Sequence, residues 1–328
     1  MNSKQEGPPA RPATSRRRLL AAAALAPVLA GTDATAAPRP SGKIRELVKP
    51  VRTTEADWTG VADALGRGGD LKHGTVYHTA FPRGDLHVVS YAVTVTPGLA
   101  LGTHVAFVRY ADGSTMLMGD LVVTEDEVQR VTETLQAHGI GQSAIHKHLL
   151  AQSPDIWWTH VHGHGRDPVS LARGLRAALD RTGTPPATPP VPSPPLDLDS
   201  AGIDAALGVR GYSQDCVYKC VFARRETIID HGMVLPPGLG ATSAFNFQPV
   251  GSGRAAVNGD FAMVAEEVQD VIKALRHGGI SIVDLHNHSL TDEPRLFFIH
   301  FWAVGDAVEL ARALHPAVAA TNVAPTVR

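Results

Sequence analysis

Four stretches between residues 75 and 122 alternate apolar and polar positions or run apolar throughout, as strands do. They are Thr75 to Phe81, Leu86 to Thr96, Thr103 to Tyr110 and Ser114 to Val122. The period then changes. Thr124 to His138 places Val128, Val131 and Leu135 on one helical face, and Gly139 supplies the stop. Two further strand-like stretches follow, around Ser143 to Leu149 and Ile156 to His162, before a helix through Leu171, Leu175 and Leu179. The order ββββαββα predicts an α+β fold with mostly antiparallel sheets.

The same pattern is written twice. Shifting the chain by 140 residues brings Pro97-Gly98-Leu99 onto Pro237-Gly238-Leu239, Gly119-Asp120 onto Gly259-Asp260, and Glu127-Val128-Gln129 onto Glu267-Val268-Gln269. Gly139-Ile140, Pro154 and Gly165 recur as Gly279-Ile280, Pro294 and Gly305. Between the copies, Pro185 to Pro195 holds seven prolines in eleven residues, a composition that favours an extended, semi-rigid spacer. The expected organisation is a first repeat domain over 57–182, a proline-rich linker over 183–197, a second repeat over 198–318, and a tail over 319–328.

Residues 1–37 have the form of an export signal, and 38–56 read as a linker. Ser15-Arg16-Arg17-Arg18-Leu19-Leu20 is a twin-arginine pattern, the apolar run Leu19 to Gly31 follows, and Ala34-Thr35-Ala36 is a small-x-small cleavage site. The apolar run is too short to span a bilayer. An exported protein of the periplasm, cell envelope or extracellular space is therefore expected, with no transmembrane span once the signal is removed.

Composition narrows the partners. An apolar share of 44% and a charged share of 19% are those of a soluble globular protein, and a net charge of −2 gives nucleic acid no electrostatic footing. The expected partner is a small molecule or a cell-envelope component. The only cysteines, Cys216 and Cys220, fall in a Val/Tyr/Phe-containing run that reads as a strand, where four residues of separation are too many for a disulfide.

Sixteen histidines are present, and they are unevenly spread. His146-Lys147-His148 recurs as His286-Asn287-His288, and His160 recurs as His300. On a strand, residues i and i+2 share a face, so each His-x-His pair presents two imidazoles side by side. A hairpin that sets His146 opposite His160 adds a third in each copy. Three neutral imidazoles with an open position suit a divalent transition ion such as zinc. His162 and His164 extend the row in copy one, where copy two has Trp302 and Val304. The candidate metal ligands are thus His146, His148, His160, His162, His286, His288 and His300. A hydrogen-bonded buried cluster and a metal-free proton-handling site are the competing readings.

Asp120 and Asp260 are the candidate catalytic carboxylates, as general base or fourth ligand, although an Asp after Gly near a strand end commonly serves a turn. Glu127 and Glu267 are weaker candidates. Thr124-x-x-Glu127 is a capping box, which Val264 cannot form in copy two. Trp157-Trp158 and Phe297-Phe298 read as core.

The Gly-Asp-Leu strand end, the Glu-Val-Gln helix, Leu285-His286-Asn287-His288 and Thr159-His160-Val161-His162-Gly163-His164-Gly165 resemble the LppY/LpqO lipoprotein family, a tandem domain of unknown function (1259). The resemblance runs from about Trp58 to Leu314 and implies an envelope-associated protein without assigning an activity. This sequence departs from it in lacking a lipobox cysteine, and in placing Lys147 where Asn is expected. Two functions compete: a His-cluster metal-binding protein with hydrolytic activity, and a non-enzymatic envelope ligand-binding or structural module.

Overall fold

Helix ends are fixed where the sequence supplies caps. In copy one, Thr124 and Glu127 form the expected capping box, with the Thr124 amide donating to Glu127 Oε2 at 2.9 Å. Asp167 and Asp306 cap the helix that closes each copy by accepting from the amides of its first turn.

The computed structural model describes residues 46–188 and 195–326; the segment expected to be an export signal and the middle of the proline-rich spacer lie outside them. The first copy comprises α1 (Thr59–Leu65), β1 (Asp70–Lys72), β2 (Val76–Pro82), β3 (Val88–Ser90), β4 (Val93–Val95), β5 (Gly102–Arg109) and β6 (Thr115–Thr124). It continues with α2 (Val128–Ala137), β7 (Gly141–His146), β8 (Gln152–Ser153), β9 (Ile156–Gly165) and α3 (Pro168–Leu179). The second comprises α4 (Ser200–Leu207), β10 (Tyr212–Gln214), β11 (Val217–Arg224), β12 (Ile229–Asp230), β13 (Met233–Val234), β14 (Thr242–Gly251) and β15 (Arg254–Met263). It ends with α5 (Val268–His277), β16 (Ser281–His286), β17 (Asp292–Glu293), β18 (Phe297–Asp306), α6 (Ala307–Ala319) and β19 (Val323–Pro325).

Each copy builds one large sheet, in the order β1-β2-β5-β6-β9-β7 or β10-β11-β14-β15-β18-β16, with β19 added against β11. The pairs within the sheets are antiparallel, so the α+β class holds. The stretch expected as one strand from Leu86 to Thr96 is instead a hairpin. Tyr91 adopts a positive φ of 52°, the chain reverses, and β3 and β4 leave the main sheet as a pair, with β8 added against β3. In copy two the corresponding turn falls at His231 and Gly232. The short helices α1 and α4, each closed by a left-handed glycine, were not anticipated from periodicity. No disulfide joins Cys216 and Cys220, and no helix among the described residues is long and apolar enough to cross a membrane.

Strand alternation sorts the core. Val105, Phe107, Leu117, Leu121 and Val161 turn toward the helices and pack with Trp58, Val131, Leu135 and Leu175. The other face of that sheet, through Ala106, Val108, Met116 and Met118, packs against Met233, Leu235, Leu239 and Phe298 of copy two. The arrangement is reciprocal: Val88, Val95, Leu99 and Leu101 of copy one join Val217, Ala256 and Trp302 of copy two. Each copy therefore covers the face its partner leaves open. Gln248 ties them further, accepting from the Thr96 amide at 2.8 Å and donating to the Thr94 carbonyl at 2.8 Å.

Glu127 and Glu267 take no part in the histidine cluster. Arg83, 1% exposed, donates to Glu127 at 2.8 Å and to Asp85, and in copy two Arg224 pairs with Glu267 and Glu226. Glu267 keeps the backbone half of the capping box, accepting from the Val264 amide at 3.0 Å, and pairs with the arginine as Glu127 does. Removing one partner of a buried pair strands the other charge, so Arg83→Ala should destabilise the protein by about 3–5 kcal/mol in urea unfolding. Arg312→Ala, at a surface pair with Glu309, should leave the midpoint unmoved.

Candidate metal centre

The edge strands β7 and β16 meet where the two sheets adjoin. Ser143 Oγ donates to the His288 carbonyl at 2.6 Å, and Asn287 Nδ2 donates to the Ser143 carbonyl at 3.3 Å. Beside this seam each strand next to the edge delivers one imidazole to the inner face. His160 of β9 stands opposite Asp120 of β6, and His300 of β18 stands opposite Asp260 of β15. Asp120 thus sits within a strand, facing inward, and serves no turn.

The histidines of the two copies form one cluster rather than two. Ring centroids lie 3.9 Å apart for His146–His286, 3.8 Å for His148–His300 and 4.0 Å for His160–His288. The closest ring approaches therefore cross from one copy to the other. The expectation of a separate triad in each copy is corrected by the way the two sheet edges abut. Register differs too. His146 lies opposite Trp158, not His160, while His160 lies opposite Ala144. A displacement of two residues keeps both imidazoles on one face, where their centroids are 4.7 Å apart. The strands end at His146 and His286, so His148 and His288 project from the loops that follow.

His162 does not join this cluster; it meets Asp230 of copy two at 2.9 Å. Trp158 and Phe298 are core residues with a second duty. Trp158 stacks on His148 at 4.4 Å and Phe298 on His288 at 3.3 Å, forming apolar walls of the centre. His78 and His104, 3.2 Å apart, line the approach and were missed in the sequence. The repeat search shows what both copies share, and the counterpart of His104 at the 140-residue offset is Ala244.

Nitrogens of His146, His160 and His286 lie within 4.8 Å of one another, as do those of His146, His148 and His300. His300 has a defined tautomer. Its Nδ1 is 3.0 Å from the Gly259 carbonyl, which can only accept, so Nδ1 carries the proton. Nε2 is then a lone pair, buried and without a hydrogen-bond partner. His288 is fixed likewise through the Gly240 carbonyl at 3.2 Å. Backbone anchoring of one ring nitrogen is how metal-binding imidazoles are oriented. His146 Nδ1, His286 Nδ1 and Asp120 Oδ1 are also buried without partners.

Burial, with repulsion from neighbouring imidazoles, holds His146, His286, His288 and His300 well below the ordinary histidine range, and burial alone does so for His148. The rings are neutral near pH 7, the state in which they ligate. Burial pushes Asp120 up to about 6, against the pull of His160, and Asp260 up to about 7. Asp120 approaches His148 Nε2 at 3.0 Å, and Asp260 approaches His288 Nε2 at 3.6 Å. A cleft of roughly 1100 Å³, lined by His104, Asp120, His160, Asp260, His288 and Lys219, gives access to the centre.

The crossed arrangement has a direct consequence for stability. In a double-mutant cycle read by chemical unfolding, His148→Ala and His300→Ala should couple by at least about 0.5 kcal/mol, as residues in contact do. His148→Ala and His277→Ala, on an outer helix, should add.

No curated protein matches the sequence. Similar solved structures include the trimeric bacterial microcompartment shell protein PduB, 14% identical over 75% of this chain and 86% of that chain, with a TM-score of 0.18. EtuB from Clostridium kluyveri is 13% identical over 70% of this chain and 89% of that chain, also with a TM-score of 0.18. The double-ringed trimeric shell protein MSM0271 from the RMM microcompartment is 12% identical over 63% and 81%, again at 0.18. At such scores the likeness transfers neither fold nor function. The model of a family described as Domain of Unknown Function (DUF1259) matches residues 59–181 and again 201–320. The chain belongs to that family and carries its domain twice.

Proposed function

We propose that the protein is an exported metal-binding hydrolase whose ion is shared by the two copies. The observation that carries this reading is the His300 imidazole: its proton is committed to the Gly259 carbonyl, and its buried lone pair faces other neutral imidazoles with no donor to satisfy it. A cluster built only for hydrogen bonding would give that nitrogen a donor. Imidazole donors suit a borderline divalent ion such as zinc. The ligands are drawn from His146, His148, His160, His286, His288 and His300.

A bound ion supplies Lewis acidity and lowers the pKa of its water toward 7. The chain's own residues do the rest. Asp120 and Asp260, set at the cleft with carboxyls raised toward neutrality, are suited to accept and return a proton. Trp158 and Phe298 exclude water behind His148 and His288. The substrate is a small molecule or a part of the cell envelope that enters the cleft, and the LppY/LpqO resemblance agrees with that destination.

Elemental analysis of the untagged, exported protein tests the first part. Zinc or another divalent transition ion should be present, and His146→Ala combined with His286→Ala should remove one equivalent. Unchanged metal content in that variant would sink the proposal. For the second part, Asp120→Asn with Asp260→Asn should keep the central ion yet slow hydrolysis of p-nitrophenyl acetate or p-nitrophenyl phosphate by about 10²-fold or more.

A further inference from the structure

A second group of ligand-type side chains lies away from the six-histidine centre, again at a contact between copies. His162 projects from β9 of copy one. Asp230 ends β12 of copy two, and His231 occupies the turn that follows. One ligand atom from each falls within 4.8 Å of the other two. His162 Nε2 is 2.9 Å from Asp230 Oδ2, and His231 Nδ1 is 3.0 Å from Asp230 Oδ1. We propose that His162, Asp230 and His231 form a second site for a divalent transition ion, independent of the central one, with its remaining positions open toward solvent beside His231.

Three observations support it. First, Asp230 is fully buried, and although Asp230 Oδ2 and His162 Nε2 are 2.9 Å apart, neither has a hydrogen-bond partner of acceptable alignment. Neither atom therefore has another hydrogen bond to give up on binding an ion. Second, the Thr291 hydroxyl donates to Asp230 Oδ1 at 2.5 Å, an outer contact that fixes the carboxylate as supporting residues do around metals.

Third, the other copy provides an internal comparison. The positions corresponding to His162, Asp230, His231 and Thr291 are Trp302, Ser90, Tyr91 and Ala151. Ser90 pairs with Gln152 across its small sheet as Asp230 pairs with Asp292, and Tyr91 shares the positive φ of His231. The same framework thus folds with one indole, one hydroxyl, one phenol and one methyl. The fold does not demand a buried carboxylate here. Burying one is unfavourable unless it is paired, and here Thr291, His231 and His162 gather around it. All three ligand-type residues occur together in one location and are absent together from the other. Two imidazoles and a carboxylate are a ligand set used for zinc and for ferrous iron.

The test uses the full exported chain, stripped of metal and titrated with Co²⁺ and Zn²⁺. Central binding is removed by His146→Ala with His286→Ala, so the second site is read whether or not the centre holds an ion. That variant should still take up one equivalent, with a Co²⁺ d–d absorption band. Adding His231→Ala, at an exposed turn where folding is not at stake, should weaken that uptake by at least about tenfold, the loss that even an outer partner of a metal causes. Adding Asp230→Asn should abolish the band. The proposal is overturned if the central variant binds no ion, or if His231→Ala leaves the residual affinity unchanged.

Discussion

A sheet that carries apolar and imidazole side chains on one face and packs helices on the other must bury both faces. Helices α1, α2 and α3 cover only one face of the first sheet, and α4, α5 and α6 only one face of the second. The remaining faces are covered by side hairpins exchanged between the copies, β12–β13 on the first sheet and β3–β4 on the second. This exchange brings the edge strands β7 and β16 together and closes a common interior. The six-histidine centre is a product of that closure. Neither copy alone presents His148 to His300 or His160 to His288.

Much of the fold is legible in the residues. The Thr124–Glu127 box, the Val128/Val131/Leu135 face and the alternating strands give each copy its main elements nearly in place. The hairpin at Tyr91 is not legible, because Leu86 to Thr96 carries apolar residues on both sides of a turn that lacks glycine and proline. Copy two has Gly232 there and shows the turn more openly. Arg83 and Arg224 were invisible for a different reason: a buried arginine differs from a surface one only through partners distant in sequence, here Glu127 and Glu267. The histidine set was recoverable because its members recur at one offset. Its geometry was not, since the contacts that matter pass between copies, and duplication reports likeness without saying how the like parts meet.

Gathering six imidazoles in a buried interior has an electrostatic condition. None can carry a proton charge beside the others without strong repulsion, and burial acts in the same direction. The cluster is therefore a set of neutral lone pairs and N–H groups. Carbonyls at Gly240 and Gly259 take up N–H groups at its rim. Gly259 also has a packing role, because a Cβ there would stand 2.1 Å from the Ala244 carbonyl oxygen. Close approach of β14 and β15 at that point places Asp260 at the centre, so the Gly-Asp pair repeated in both copies is a backbone requirement serving a side-chain position.

Fusion of the copies explains how the centre came to differ from a symmetric one. In a dimer of identical chains every substitution occurs twice. A residue useful on one side, such as Asn258, whose side chain donates to the His148 carbonyl at 2.5 Å, would also appear at the place Met118 holds in copy one. Met118 lies in the apolar contact with copy two, where a second amide would be buried among Met116, Leu239 and Phe298. A single chain separates these demands. Copy one carries His104 and His162 where copy two has Ala244 and Trp302, and on the helix-facing side copy two has Phe245, Phe261 and Phe301 where copy one has Val105, Leu121 and Val161. Both copies bring polar side chains to the cleft, Asp120 and His160 from one and Asp260 and His288 from the other, and the apolar contacts between their sheets hold these in one register.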